Sequence, residues 1–112
     1  MQISTRKVYD VQVIDVEGRL DSRTSGDIAD RLTAIAQGPD KHVLLNIAKL
    51  EYLSSAGVRI ILRTAKLLQG NRGELKICSP NAEVNSVLTT AGFDSLLKVY
   101  GTEKDAFAAF SS

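Results

Sequence analysis

The sequence predicts an α/β domain: a mixed sheet of about five strands flanked by four helices, in the chain order β-β-α-β-α-β-α-β-α. Three observations point to it. Short runs rich in Val, Ile and Leu alternate with stretches whose apolar residues recur every three to four positions, the respective patterns of strands and helices. Alternation of strands with helices favours parallel pairing, whereas the opening strand pair, with no helix between, makes the sheet mixed. The chain of 112 residues also shows no internal repeat, low-complexity tract or linker. It therefore reads as one domain, 1–112, large enough to bury a core without the disulfides or structural metals common below roughly 40 residues.

Each element follows from its residues. A short strand over 5–9 leads through a turn at Asp10 into the strand VQVIDVE (11–17), which ends at Gly18. From Ile28 the period changes, and Ile28, Ala29, Leu32, Ile35 and Ala36 recur at helical spacing. Ser22, Thr24 and Ser25 are its candidate N-caps and Gly38-Pro39 its stop. HVLLNIA (42–48) is nearly continuous apolar sequence, as in a strand covered on both faces. Val58, Ile61, Leu62, Ala65 and Leu68 then form the inner face of a helix that starts at Ser54-Ser55 and ends near Gly70. Asn71–Gly73 is a turn and ELKIC (74–78) a strand. Ser79-Pro80-Asn81 opens a helix with Val84, Val87 and Leu88 inward and Gly92 as its stop. LLKVY (96–100) is the last strand, and 103–110, carrying Ala106, Phe107 and Phe110, the last helix.

Composition removes several classes of chemistry. Hydrophobic residues make up 44% and charged residues 24%, near the globular average, which argues against disorder. Fourteen basic residues against thirteen acidic give a net charge of +1 with no block of like charge, so direct nucleic-acid binding has no electrostatic footprint. Cys78 is alone and His42 is alone, so neither an intrachain disulfide nor a multi-His or Cys-rich metal site is expected, and no cofactor either. No apolar run approaches the roughly 18–20 residues that span a bilayer. MQISTRKVYD lacks the apolar core of a signal peptide, so the expectation is a cytoplasmic protein of a reducing compartment. With no coiled-coil heptads, a monomer is the default.

The candidate chemistry then narrows to one segment. Leu53-Ser54-Ser55-Ala56-Gly57 has the trailing glycine of a hydrolase nucleophile elbow but not the leading one. The only candidate base, His42, falls at the start of the preceding strand, whereas active sites in such sheets lie at the carboxyl ends. A serine hydrolase is therefore disfavoured. Asp27 and Asp30 lie on a solvated helix face, and Asp21 is either a cap or a functional group. General acid–base catalysis lacks a second carboxylate near Asp21. Gly70-Asn71-Arg72-Gly73 follows a helix and precedes a strand, the reverse of a phosphate-binding loop. Ser54-Ser55-Ala56-Gly57 remains: an ordinary N-cap, or a place where a hydroxyl is phosphorylated or an anion docks.

Strand HVLLNIA, linker KLEYLSSAG and helix VRIILRTAKLL resemble the signature of the STAS domain, and more specifically that of bacterial anti-sigma factor antagonists. Gly18-Arg19-Leu20-Asp21 resembles the family's G-x-L-D element, and LKICSPNAEVNSVLTTAGFDSLLKVY its closing strand–helix–strand, so the likeness runs along nearly the whole chain. The resemblance implies a mixed sheet flanked by helices and a phosphorylatable serine at the start of the second helix. The family's usual D-S-S-G or D-S-T-G places Ser54 at the aspartate, Ser55 at the phosphoserine, Ala56 at the second hydroxyl and Gly57 at the glycine. Two departures are therefore visible, at Ser54 and Ala56, and the first leaves Ser54 as the alternative phosphorylation site to Ser55. The resemblance further implies partner contact by Asp21, Ser22 and Thr24, by Ser54, Ala56 and Gly57, and by Arg59, for which a solvated arginine is the alternative. The implied partner is an anti-sigma factor with a histidine-kinase-like ATPase domain acting as serine kinase, with a serine phosphatase as resetting enzyme. A non-switching STAS adaptor in a stress-signalling or lipid-transport complex is the second reading.

Overall fold

The computed structural model describes residues 1–90 and 97–110. Its elements are β1 (Gln2–Val8), β2 (Val11–Leu20), α1 (Ser25–Ala36), β3 (His42–Leu53), α2 (Ser55–Gly70), β4 (Glu74–Cys78), α3 (Ala82–Thr90), β5 (Lys98–Tyr100) and α4 (Glu103–Phe110). The five strands lie side by side in chain order. β1 pairs antiparallel with β2 through the tight Tyr9-Asp10 turn, and β2, β3, β4 and β5 pair parallel. The expected order and mixed sheet are both present.

Successive parallel neighbours joined by right-handed crossovers place their helices on one face, and the core shows this. Ile14, Val16, Val43, Leu45, Ile47, Leu75 and Ile77 point from the sheet into a single cluster with Ile28 and Leu32 of α1, Val58, Ile61, Ala65 and Leu68 of α2, and Val84 and Leu88 of α3. The alternate residues Val11, Val13, Leu44 and Cys78 face the other way and pack on Ala106 of α4. Covering on both faces is why the central part of β3 reads as unbroken apolar sequence. Cys78 is fully buried and its thiol is pushed up by that burial, so it is no exposed nucleophile.

Several boundaries differ from the sequence expectation. β1 begins at Gln2 and Tyr9 lies in the turn, with φ of 56°. β2 does not stop at Gly18 but continues to Leu20, because the glycine takes φ of 111° and absorbs register shifts against β3 on either side of it. β3 likewise runs on from Ala48 to Leu53, with Leu50 and Leu53 inward and Lys49 and Glu51 outward. α1 starts at Ser25, three residues before the first apolar position. Leu62, expected inward, is only half-buried and lies at the surface of α2. Gly92 and Leu96 fall outside the described residues.

These extensions position the functional end of the molecule. β4 pairs with β3 only over His42–Asn46, so the last part of β3 projects past β4 with β2 alone beside it. Asn81 supports the projection: its Nδ2 donates to the Leu50 carbonyl at 3.1 Å while its Oδ1 accepts from the Val84 N–H at 2.8 Å. The free ends of β2 and β3, Leu20 and Leu53, finish in register.

Candidate functional site

The site grows out of that register. The Ser54 N–H donates to the Leu20 carbonyl at 2.9 Å, fastening the end of β3 to the end of β2 as the chain turns into α2. Ser54 has extended backbone angles, φ −87° and ψ 168°, and its Oγ accepts from the Gly57 N–H at 3.2 Å. That is an N-cap, satisfying one of the donors a helix leaves open at its start. The Val58 N–H to Ser54 carbonyl bond, 3.0 Å, is the first of the helix. Two open N–H groups remain, those of Ser55 and Ala56, with no partner among the described residues.

The two adjacent serines are thereby distinguished. Ser54 is half-buried and its oxygen is engaged in the cap, whereas Ser55, in the first helical position, is exposed and its hydroxyl has no hydrogen bond among the described residues. Asp and Ser are about equally good caps. A serine where the resemblance places an aspartate therefore keeps the cap and deletes one negative charge beside Ser55. We expect Ser54→Ala to lose about 1 kcal/mol of stability and Ser54→Asp to lose nothing measurable. Urea unfolding of the three proteins checks this, and equal losses in both variants would show that the cap does not matter.

Gly57 explains how closely α2 approaches the sheet. A Cβ there would lie 2.7 Å from Leu20 Cγ and 2.7 Å from Leu53 Cδ1. Only glycine admits the buried ends of β2 and β3 under the first turn, so Gly57 is a packing residue rather than an exposed contact. Ala56 is half-buried.

The loop after β2 lies beside this turn. The Asp21 carboxylate accepts from the Arg23 N–H at 2.9 Å, an Asx turn, and its carbonyl accepts from the N–H groups of Thr24 (3.2 Å) and Ser25 (2.9 Å). Thr24 stands at the N-cap position of α1 but makes no side-chain cap; its Oγ1 accepts from the Asp21 N–H (3.1 Å) and lies 2.9 Å from the Arg19 carbonyl, to which it donates. None of Ser22, Thr24 and Ser25 caps the helix by its side chain: the Ser25 hydroxyl turns back to the Ser22 carbonyl at 3.3 Å. Asp21 is thus a loop-former whose second carboxylate oxygen has no partner among the described residues. Its place one residue after the Leu20–Ser54 bond puts it next to the serines.

Arg59, exposed, follows Ser55 by one helical turn. Sequence reasoning missed its company: Arg63 and Lys66 continue the same exposed stripe, readable in the sequence as cations at i, i+4 and i+7. It also missed Tyr52, 40% exposed, with the Arg19 guanidinium 4.5 Å from the ring centroid. His42 sits where expected, at the opposite end of β3, with Nδ1 3.2 Å from Asp10 Oδ2 and its ring packed on Phe110. No group of three or more His, Cys, Asp or Glu among the described residues is placed to hold a metal. No helix among them is long and apolar enough to cross a membrane.

The strand end fastened by Leu20, the helix capped by Ser54 and the exposed Ser55 hydroxyl thus meet at one point of the surface. The STAS domain family model matches residues 2–106, and the chain belongs to that family. Among its relatives is BtrV of Bordetella bronchiseptica, described as a candidate anti-sigma factor antagonist, 30% identical over 112 residues, which are 100% of this chain and 97% of that one. The anti-sigma F factor antagonist of Paenibacillus polymyxa is 27% identical over 107 residues, 95% of this chain and 92% of the relative. The fold is also that of the Bacillus anti-sigma factor antagonist SpoIIAA, 21% identical. Its unphosphorylated form superimposes with a TM-score of 0.82 over 98% of this chain and 96% of that one. Its phosphorylated form gives 0.73 over 97% and 99%.

Proposed function

We propose that this chain is an anti-sigma factor antagonist switched by phosphorylation of Ser55. The unphosphorylated protein binds an anti-sigma factor that is also a serine kinase of the histidine-kinase-like ATPase type, and so frees a sigma factor. Within the complex the Ser55 Oγ attacks the γ-phosphorus of the kinase's ATP. The new O–P bond forms as the bond to the bridging oxygen breaks, ADP leaves, and the hydroxyl proton passes to a base of the kinase. The partners separate, and a serine phosphatase hydrolyses the phosphoester to restore the binding form. The chain is ligand and substrate in this cycle, not catalyst.

The observation that carries the reading is the division of labour between the two serines: Ser54 caps, and Ser55 presents a free hydroxyl at the helix start. The domain itself accepts a phosphate there. The N–H groups of Ser55 and Ala56 are open, and a negative charge at a helix N-terminus gains typically 0.3–1 kcal/mol. Asp21, Ser22 and Thr24 form the neighbouring loop and Ser54, Ala56 and Arg59 the near surface of the same interface, with Gly57 supporting it from beneath. The relatives' names support the partner class.

The test is phosphosite mapping of the protein isolated from its own cells by tandem mass spectrometry. One phosphoryl group on Ser55, absent from Ser55→Ala, is expected. A phosphate confined to Ser54, or none under any growth condition, would contradict the assignment and favour the non-switching adaptor.

A further inference from the structure

The outer face of α2 carries charge of one sign only. Its sixteen residues carry Arg59, Arg63 and Lys66 and no acidic residue, in a chain with fourteen basic and thirteen acidic residues overall. Exposed helix faces are stabilised by opposite charges at i,i+4 and destabilised by like ones. Here Arg59 and Arg63 are four apart, and Arg63 and Lys66 three. Arg59 also lies near the positively polarised start of the helix, where a cation is disfavoured. The stripe therefore does not serve the helix.

Three cations elsewhere in the chain are ion-paired, Arg6 with Asp15 and Glu103, Lys7 with Asp40, and Lys76 with Glu74, while Lys41 donates to the Asn71 carbonyl and Arg19 lies over Tyr52. Among the described residues Arg59, Arg63 and Lys66 have no ion pair. Leu62 and Leu67 lie half-buried between them, and the five side chains line a shallow groove of about 360 Å³. Three unpaired cations around an aliphatic floor are complementary to an acidic, amphipathic protein segment, with carboxylates a helical turn apart and an apolar side chain between them. Near-neutral charge over the rest of the chain argues against a nucleic acid or an anionic membrane as occupant, since both draw on a broad basic surface.

Ser55 stands at the head of the same stripe, one turn before Arg59. We propose, resting on the switch reading above, that the Arg59–Arg63–Lys66 face of α2 docks an acidic segment of the partner, and that phosphate on Ser55 disables this face from within by drawing Arg59 into an intramolecular ion pair. Phosphoserine brings about −1.5 to −2 charges and three acceptor oxygens, a ready match for a guanidinium. The phosphate thus competes for the cation the partner uses, and places its remaining charge where the partner's carboxylates must come.

Two measurements test this. The first needs no partner: the chain is made with phosphoserine at position 55 and the phosphate is titrated by phosphorus NMR, alone and with Arg59→Gln, Arg59→Lys or Arg63→Gln. A titration midpoint about 0.2–0.7 pH lower with Arg59 than with Gln is expected, as for an exposed ion pair, with Lys between the two and Arg63→Gln unchanged. Equal midpoints for Arg59 and Gln overturn the pairing. The second is calorimetry of the Ser55→Ala protein against the kinase that it captures, at low and high salt (about 0.05 and 0.3 M). The pair Arg63→Gln and Lys66→Gln is expected to weaken binding roughly tenfold at low salt and to flatten its salt dependence. Unchanged affinity, or binding of the wild-type stripe to anionic vesicles instead, overturns the docking face. If Ser55→Ala and Ser55→Asp still differ in capture while these variants do nothing, the switch stands and this inference alone fails.

Discussion

Ser55→Asp is expected to lower affinity for the proposed kinase partner by about two to three decades, and Ser55→Ala to bind as wild type does. The reason is the asymmetry between the free domain and the docked surface. On the free domain the charge sits at the start of a sixteen-residue helix, beside two open N–H groups, and is mildly favoured. At a docked surface one like-charge pair about 4 Å apart costs roughly 4 kcal/mol at an effective dielectric of 20. Repulsion of that order corresponds to between two and three factors of ten in Kd. Aspartate carries one charge and phosphate nearly two, so the phosphorylated protein binds more weakly still. The fold of Ser55→Asp remains that of wild type, because Ser55 is exposed and its hydroxyl holds nothing in place. Isothermal titration with the purified partner, with circular dichroism as the folding control, reads both halves. Equal affinities of the aspartate and alanine variants would show that charge at Ser55 is not the control.

The second large effect lies beneath the site, where Leu20 meets Gly57. Leu20 is buried, its carbonyl fixes Ser54, and its Cγ would stand 2.7 Å from a Cβ at position 57. Leu20→Ala is expected to cost about 2–5 kcal/mol, the range for truncating a fully buried leucine. Gly57→Ala gains about 1 kcal/mol of helix propensity but loses about 1–3 kcal/mol to overpacking, a small net loss. Their combination is the informative one. With Leu20 truncated, the new methyl enters the space the leucine leaves, so the double variant is more stable than the sum of the singles by about 0.5–2 kcal/mol. Urea unfolding of all four proteins measures the coupling. Strict additivity would mean that α2 does not rest on Leu20 as closely as the 2.7 Å approach requires.

The sheet and helix order was legible because both periodicities are clean: the Val/Ile runs of β2 and β3, and the inward Ile61, Ala65 and Leu68 of α2. The ends of β2 and β3 were not. Gly18 reads as a stop, but a glycine in a strand can also absorb a register shift, and only the pairing with β3 decides. Lys49 and Glu51 break the apolar run after Ala48, yet they are the outward residues of a strand whose inner residues, Leu50 and Leu53, reach the core. Helix starts suffered similarly. Ser22, Thr24 and Ser25 all have the chemistry of a cap, but Asp21 organises that loop first and leaves α1 without a side-chain cap.

At the site, the segment Ser54–Gly57 was visible as a serine pair at a strand-to-helix turn. Which serine caps and which is free depends on where Leu20 holds the Ser54 N–H, a contact thirty-odd residues distant in the chain that local pattern does not encode. The cationic stripe was legible in principle from the spacing of Arg59, Arg63 and Lys66. It gained meaning only once Ser55 was seen on the same face and the three cations were found unpaired.

The most direct test of the central claim, that the Ser55 hydroxyl controls partner choice, is comparative capture from lysate of the source organism. Ser55→Ala and Ser55→Asp proteins serve as baits, with quantitative mass spectrometry as readout. A histidine-kinase-like ATPase is expected to be enriched on the alanine bait and lost from the aspartate bait. Recovery of the same partners by both baits would contradict it.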